Sequence, residues 1–208
     1  MPGLTLLHTS PVHVPVFDAL RDRHHSGAVL RHLVVPELLE RARALGPASQ
    51  APAVRELLAG SEGPVLVTCS SIGAVAEALA GELGVPVLRV DRPLAAAAVR
   101  TGARILVLAT VESTLAPTAE LLEEEAVRAG RPVSVRTRVV DGAWDRFAAG
   151  DEAGCLRLVA EAADAVAGTD TDVIVLAQVS MAGAQALVTT AVPVLSSPAS
   201  GLAAALGQ

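Results

Sequence analysis

The sequence predicts an α/β fold of two pseudo-symmetric lobes, each a short, mostly parallel sheet flanked by helices. Three observations carry this expectation. Apolar, β-branched runs alternate with longer helical stretches, the pattern of parallel sheets with helical crossovers. Several strand runs are apolar throughout rather than alternating, as expected when helices cover both sheet faces. A strand–turn–helix passage also recurs: Pro64-Val65-Leu66-Val67-Thr68-Cys69-Ser70-Ser71 has a counterpart about a hundred residues later in Asp172-Val173-Ile174-Val175-Leu176-Ala177-Gln178-Val179. No shorter period recurs, so two related lobes are expected rather than a solenoid.

The expected strands are 4–8, 29–34, 64–68, 85–90, 104–109, 133–139, 172–177 and 193–195. The expected helices are 36–45, 51–59, 72–83, 93–101, 117–129, 151–167, 181–190 and 200–206. Gly46, Gly84, Gly102 and Gly130 each follow a helical stretch, as C-terminal caps do. Pro86, Pro132 and Pro193 open strands, where a missing N–H costs little. Asp91-Arg92-Pro93 is the candidate hinge. The first lobe is expected over 1–92, with 191–208 returning to it, and the second over 93–190.

Composition narrows the chemistry. The 208 residues are 51% hydrophobic but only 1% aromatic, so the core must be aliphatic. All 16 basic residues are Arg, and Lys, Tyr and Asn are absent. Lys Schiff bases and the Walker A lysine are thereby excluded. A net charge of -6 argues against nucleic acid as a partner. No apolar run reaches the ~18 residues of a membrane span. The start of the chain lacks the basic and apolar regions of a signal peptide, so a cytoplasmic location is expected. The two cysteines do not make a disulfide framework.

In open α/β sheets ligands bind beyond the carboxyl ends of the strands. The polar residues expected there are His8, Thr9 and Ser10; Thr68, Cys69, Ser70 and Ser71; Asp91; Thr110, Glu112, Ser113 and Thr114; Gln178, Val179 and Ser180; and Ser196 and Ser197. Hydroxyls and helix N-termini dominate, a composition suited to a small carboxylate. Cys69 is expected at a helix start, where the dipole favours thiolate over thiol. Cys155, inside a helical pattern, reads as a buried packing residue. His8 is expected to titrate near neutrality. His24 and His25 are expected in a polar loop over the pocket, Glu123-Glu124-Glu125 on a solvated helix face, and Trp144 and Phe147 as packing residues. The five histidines lack metal-ligand spacing, so no metal is expected.

Six segments in order resemble the aspartate/glutamate racemase superfamily, which includes hydantoin racemases, maleate isomerases and arylmalonate decarboxylases. They are His8-Thr9-Ser10-Pro11, His32-Leu33-Val34-Val35-Pro36-Glu37, Val67-Thr68-Cys69-Ser70-Ser71, Leu108-Ala109-Thr110-Val111-Glu112-Ser113-Thr114, Val175-Leu176-Ala177-Gln178-Val179-Ser180 and Pro193-Val194-Leu195-Ser196-Ser197-Pro198. The resemblance implies two lobes with a ligand between them, no cofactor, and a homodimer or larger assembly. It implies a cysteine in each lobe, one for each face of the substrate carbon. Cys69 matches the first; the second falls on Gln178, which cannot exchange a proton. Glu112, Asp91 or His8 are then candidates to serve the second face. A racemase or isomerase acting on a small carboxylic acid is expected, with Cys69 as base or nucleophile. Ser10, Ser70, Ser71, Ser113, Thr114, Gln178 and Ser180 would hold carboxylate or enolate oxygens. A single-thiol decarboxylase or lyase and a non-catalytic carboxylate-binding protein are the alternatives.

Overall fold

The computed structural model describes residues 3–166, 168 and 170–207. The chain divides into two units: one runs to Val90 and resumes at Pro198, the other is Asp91–Ser197. In the first, β1 (Leu4–His8), β2 (Leu30–Val34), β3 (Val65–Val67) and β4 (Val87–Arg89) form a parallel sheet in the order β2-β1-β3-β4. In the second, β5 (Arg104–Ala109), β6 (Ser134–Val139), β7 (Val173–Leu176) and β8 (Val194–Ser196) repeat that order as β6-β5-β7-β8, again all parallel. The internal repeat seen in the sequence is thus a repeat of topology.

The central strands are buried on both faces, which explains their unbroken apolar runs. In the second unit, Ile105, Val107, Val173 and Val175 pack on α6 (Arg92–Thr101) and α7 (Leu115–Ala129). Leu106, Leu108, Ile174 and Leu176, one residue out of phase, pack on α8 (Ala143–Ala148) and α9 (Glu152–Asp164). Leu7, Val65 and Val67 face α2 (Glu37–Leu45), α3 (Ala51–Leu58) and α4 (Ser70–Ala78) in the first unit. The edge strands β2 and β6 are only partly covered and carry Arg31, Arg136 and Arg138, which discourage pairing with another edge. No helix among the described residues is long and apolar enough to cross a membrane.

Several expectations change. Residues 13–24 form a helix, α1 (His13–His24), where none was expected. Pro15 is tolerated because it lies in the first turn, whose N–H groups have no intrahelical partner. Phe17, fully enclosed, anchors the helix. His24 therefore ends a helix rather than sitting in a loop. The expected helix 72–83 divides into α4 and the single turn α5 (Ala80–Leu83), 181–190 is a 3-10 helix over Val179–Ala186, and the remaining helix, α10, is Ser197–Ala205. Of the expected helix 151–167, Ala167 lies outside the described residues. The segment 191–208 does not return whole to the first lobe. Its strand, β8, hydrogen-bonds to β7, and the chain rejoins the first unit only from Pro198. Glu125 is not on a solvated face: it is buried and accepts a 2.7 Å hydrogen bond from Arg92. Cys155 packs on β5 and β7, and burial raises its thiol pKa.

One polar clasp closes the foot of the second sheet. Asp172, before β7, accepts from the backbone N–H of Ala103 (3.0 Å) and Arg104 (2.8 Å) and from the Arg104 guanidinium. Gly102 makes room for it: a Cβ there would lie 2.2 Å from the Asp172 Cβ. The Arg104 hydrogen bonds hold the Asp172 carboxyl down at about 2. The unfolded chain binds this proton near pH 3.9, so the clasp stabilises the fold above that pH and its contribution is lost as pH falls through about 2. Asp172→Asn should therefore be less stable than wild type at neutral pH. The gap should narrow between about pH 4 and pH 2, as read by urea denaturation across that range.

Candidate functional site at the carboxyl ends of the strands

Cys69 is the last extended residue after β3 (φ -114°, ψ 118°) and directly precedes α4. It is largely buried, at 8% exposure, and packs within the first-unit core. Among the described residues no side chain caps α4, so the first-turn N–H groups around Ser70 and Ser71 are suited to an anion. Both serines are half-buried. One turn on, Gly73 lies against the buried guanidinium of Arg89: a Cβ at Gly73 would meet Arg89 Nε at 3.0 Å.

Gln178 holds the matching place in the second unit. It is the last extended residue after β7 (φ -126°, ψ 142°), before the 3-10 turn that contains Val179 and Ser180. Its Oε1 accepts from the backbone N–H of Thr110 at 2.7 Å and from the Thr110 hydroxyl at 2.9 Å. A backbone N–H can only donate, so this contact fixes which end of the amide is oxygen. The Nε2 group, with its two donors, is then the other end of the amide.

The first unit ties the same two strand ends together with other residues. His8, at the end of β1, is fully enclosed. Its Nδ1 lies 2.8 Å from the Thr68 hydroxyl and its Nε2 lies 2.8 Å from His32 Nδ1. The Thr68 hydroxyl is also 3.2 Å from the Leu7 carbonyl and 3.4 Å from His13 Nδ1. The His8 and His32 rings lie nearly parallel, 15° apart, and the His8 ring tilts against Phe17. Burial, with lesser contributions from His13 and His32, lowers the His8 pKa to about 3; burial lowers that of His13 to about 4. This corrects two expectations. His8 does not titrate near neutrality, and with both ring nitrogens engaged it presents none to a ligand.

The other expected residues separate by exposure. Ser10, Ser70, Ser71 and Ser180 are half-buried, Glu112 and Ser113 exposed, and Thr9, Thr68, Thr110, Thr114 and Val179 buried. Asp91 is 3% exposed among Leu94, Ala95, Thr118 and Leu121 rather than on an open rim. Among the described residues no group of His, Cys, Asp and Glu is arranged to hold a metal. His13, Asp18, His32 and Arg89 joined this end of the first sheet unannounced. The alternation of β2 faintly signals His32, which lies opposite Leu6 in the register and next to β1.

The family model described as Asp/Glu/Hydantoin racemase matches residues 31–205. The chain belongs to that family. Glutamate racemase RacE1 from Bacillus anthracis has a similar structure, with TM-score 0.68 and 16% identity over 99% of this chain and 80% of that one. Aspartate racemase from Picrophilus torridus gives 0.67 and 14% over 99% and 92%. A doubly substituted arylmalonate decarboxylase in its liganded form gives 0.56 and 19% over 100% and 92%. At these identities the likeness establishes the two-lobe α/β fold. No curated protein sequence matches the chain.

Thr68→Val keeps the shape of the side chain but leaves His8 Nδ1 buried without its partner. The loss expected is about 1–3 kcal/mol of unfolding free energy, measured by urea denaturation at pH 7.

Proposed function

We propose that this chain is a cofactor-independent, racemase- or isomerase-like enzyme acting at a carbon of a small carboxylic acid. Cys69 is its reacting thiol. The observation that carries the reading is the position of Cys69, the last extended residue before an uncapped helix start, in a chain of the Asp/Glu/Hydantoin racemase family. A carboxylate at the α4 N-terminus accepts from first-turn N–H groups and from the Ser70 or Ser71 hydroxyl. The Cys69 thiolate then removes the proton from the adjacent carbon. The electron pair left behind moves onto the carboxylate, giving an enediolate, and fixed donors stabilise that growing charge.

Gln178 stands at the corresponding turn of the second unit and carries amide donors there. With its oxygen occupied by Thr110, its Nε2 group is what remains to offer. An amide donates a hydrogen bond but does not exchange a proton at the substrate carbon. This favours, as a second reading, a single-thiol lyase or decarboxylase: loss of CO2 leaves the same enediolate, and Cys69 returns one proton to one face. Glu112, exposed beyond β5, is the proton donor that the racemase reading requires for the opposite face.

The readings separate by product. Single enantiomers of small amino and dicarboxylic acids, and disubstituted malonates, are incubated in D2O. Racemisation gives the inverted enantiomer carrying deuterium at the reacting carbon. Decarboxylation gives one deuterated enantiomer of the monoacid. Cys69→Ser should abolish either activity. Turnover surviving intact in Cys69→Ser removes the thiol from the mechanism.

A further inference from the structure

The histidines of the first unit form a chain that the proposed reaction does not use. It starts at the surface with Asp18 on α1, whose side chain is 37% exposed. Asp18 Oδ1 lies 2.8 Å from Arg21 Nη1 and 3.4 Å from His32 Nε2. His32 Nε2 is buried and makes no hydrogen bond among the described residues. The Asp18 oxygen, at ion-pair distance, is the acceptor within its reach. His32 Nδ1 meets His8 Nε2 at 2.8 Å, and His8 Nδ1 meets the Thr68 hydroxyl at 2.8 Å. Thr68 directly precedes Cys69.

Proton counting gives this chain a direction. A carboxylate only accepts, so a neutral His32 facing Asp18 carries its hydrogen on Nε2 and leaves Nδ1 as an acceptor. His8 must then donate from Nε2, which leaves its Nδ1 as an acceptor. In this arrangement the Thr68 hydroxyl gives its hydrogen to His8 Nδ1 at 2.8 Å, in place of the donation to the Leu7 carbonyl that its 3.2 Å contact otherwise allows. Its oxygen is left to accept from His13 Nδ1. Each assignment forces the next.

We infer that Asp18, His32 and His8 are positioning residues: through two imidazoles, the Asp18 carboxylate sets the direction of the Thr68 hydroxyl and so holds the turn that carries Cys69. The burial that keeps His8 neutral supports this, because a doubly protonated His8 would have no acceptor for Thr68. The arrangement follows the general logic of a base oriented by a third group, lengthened by one histidine. Its consequence for turnover rests on the reading of Cys69 as the reacting thiol; the direction of the chain does not.

Imidazole 15N NMR of the uniformly labelled full chain at pH 7 tests the inference without a substrate. In the wild type, His8 and His32 should both carry hydrogen on Nε2 and leave Nδ1 bare. In Asp18→Asn, the amide can donate to His32 Nε2, so His32 should change to Nδ1–H. His8, which does not touch residue 18, should change with it. Asp18→Glu, which restores the carboxylate, should return both signals to the wild-type pattern. A wild-type His8 in the Nδ1–H form, a charged His32, or a His8 unchanged in Asp18→Asn would overturn the inference. Where an acid shows Cys69-dependent turnover, Asp18→Asn should lower kcat by at least about tenfold with KM little changed, and Asp18→Glu should restore it. Tautomer changes without loss of turnover would leave Asp18 without a role at the thiol and overturn the positioning claim. Absence of any Cys69-dependent turnover would overturn the proposed function and leave the tautomer result standing.

Discussion

The hydrogen-bonded pairing of the first strand with the third, made once in each unit, is the constraint on which the rest depends. β1 sits between β2 and β3, and β5 between β6 and β7. Parallel pairing aligns the carboxyl ends of neighbouring strands, so the residues leaving them gather in one place. Cys69 after β3 and Gln178 after β7 hold that place in their respective units. Each is held from the neighbouring strand. Thr110 fixes the Gln178 amide, and His8 fixes Thr68, which carries Cys69. The same geometric task is done by a threonine in one unit and a buried histidine in the other.

Those two solutions have different electrostatic consequences. Thr110 occupies the Gln178 oxygen and leaves its amide donors, so this turn of the second unit carries an amide where the first carries a thiol. The first unit keeps a thiol at a helix start whose N–H groups no side chain has claimed. Next to that thiol, His8 is matched within the protein: Thr68 engages one ring nitrogen and His32 the other. Burying the His8 imidazole is tolerable because burial, with repulsion from His13 and His32, keeps it neutral, which avoids the larger cost of an enclosed charge.

The layout of the fold was legible in the sequence because burial on both faces writes itself into the strands. Ile105 to Ala109 and Val173 to Leu176 are apolar throughout, and Gly84 and Gly130 end helices in the left-handed conformation that glycine allows. Helix α1 was not legible: Pro11, Pro15 and a run of charged and histidine residues obscure the spacing of Val14, Phe17 and Leu20. Cys69 and Gln178 could be found because strand-to-helix turns are local features. The partners of His8 could not. They lie 24 and 60 residues away and meet only because the first strand is inserted between the second and third. The buried pairing of Glu125 with Arg92 was hidden for the same reason, since the charge run Glu123-Glu124-Glu125 looks like solvated surface until α6 is packed against α7.

The central claim is that Cys69 is a reacting thiol and Cys155 a packing one. Alkylation of the native protein with iodoacetamide, followed by peptide mass spectrometry, addresses it most directly, because each cysteine reports against the other in one sample. Cys69 should be modified first, a small carboxylic acid which the protein turns over should protect it, and Cys155 should react only on unfolding. Modification of Cys155 ahead of Cys69, or a Cys69 rate unaffected by every acid that is turned over, would contradict it.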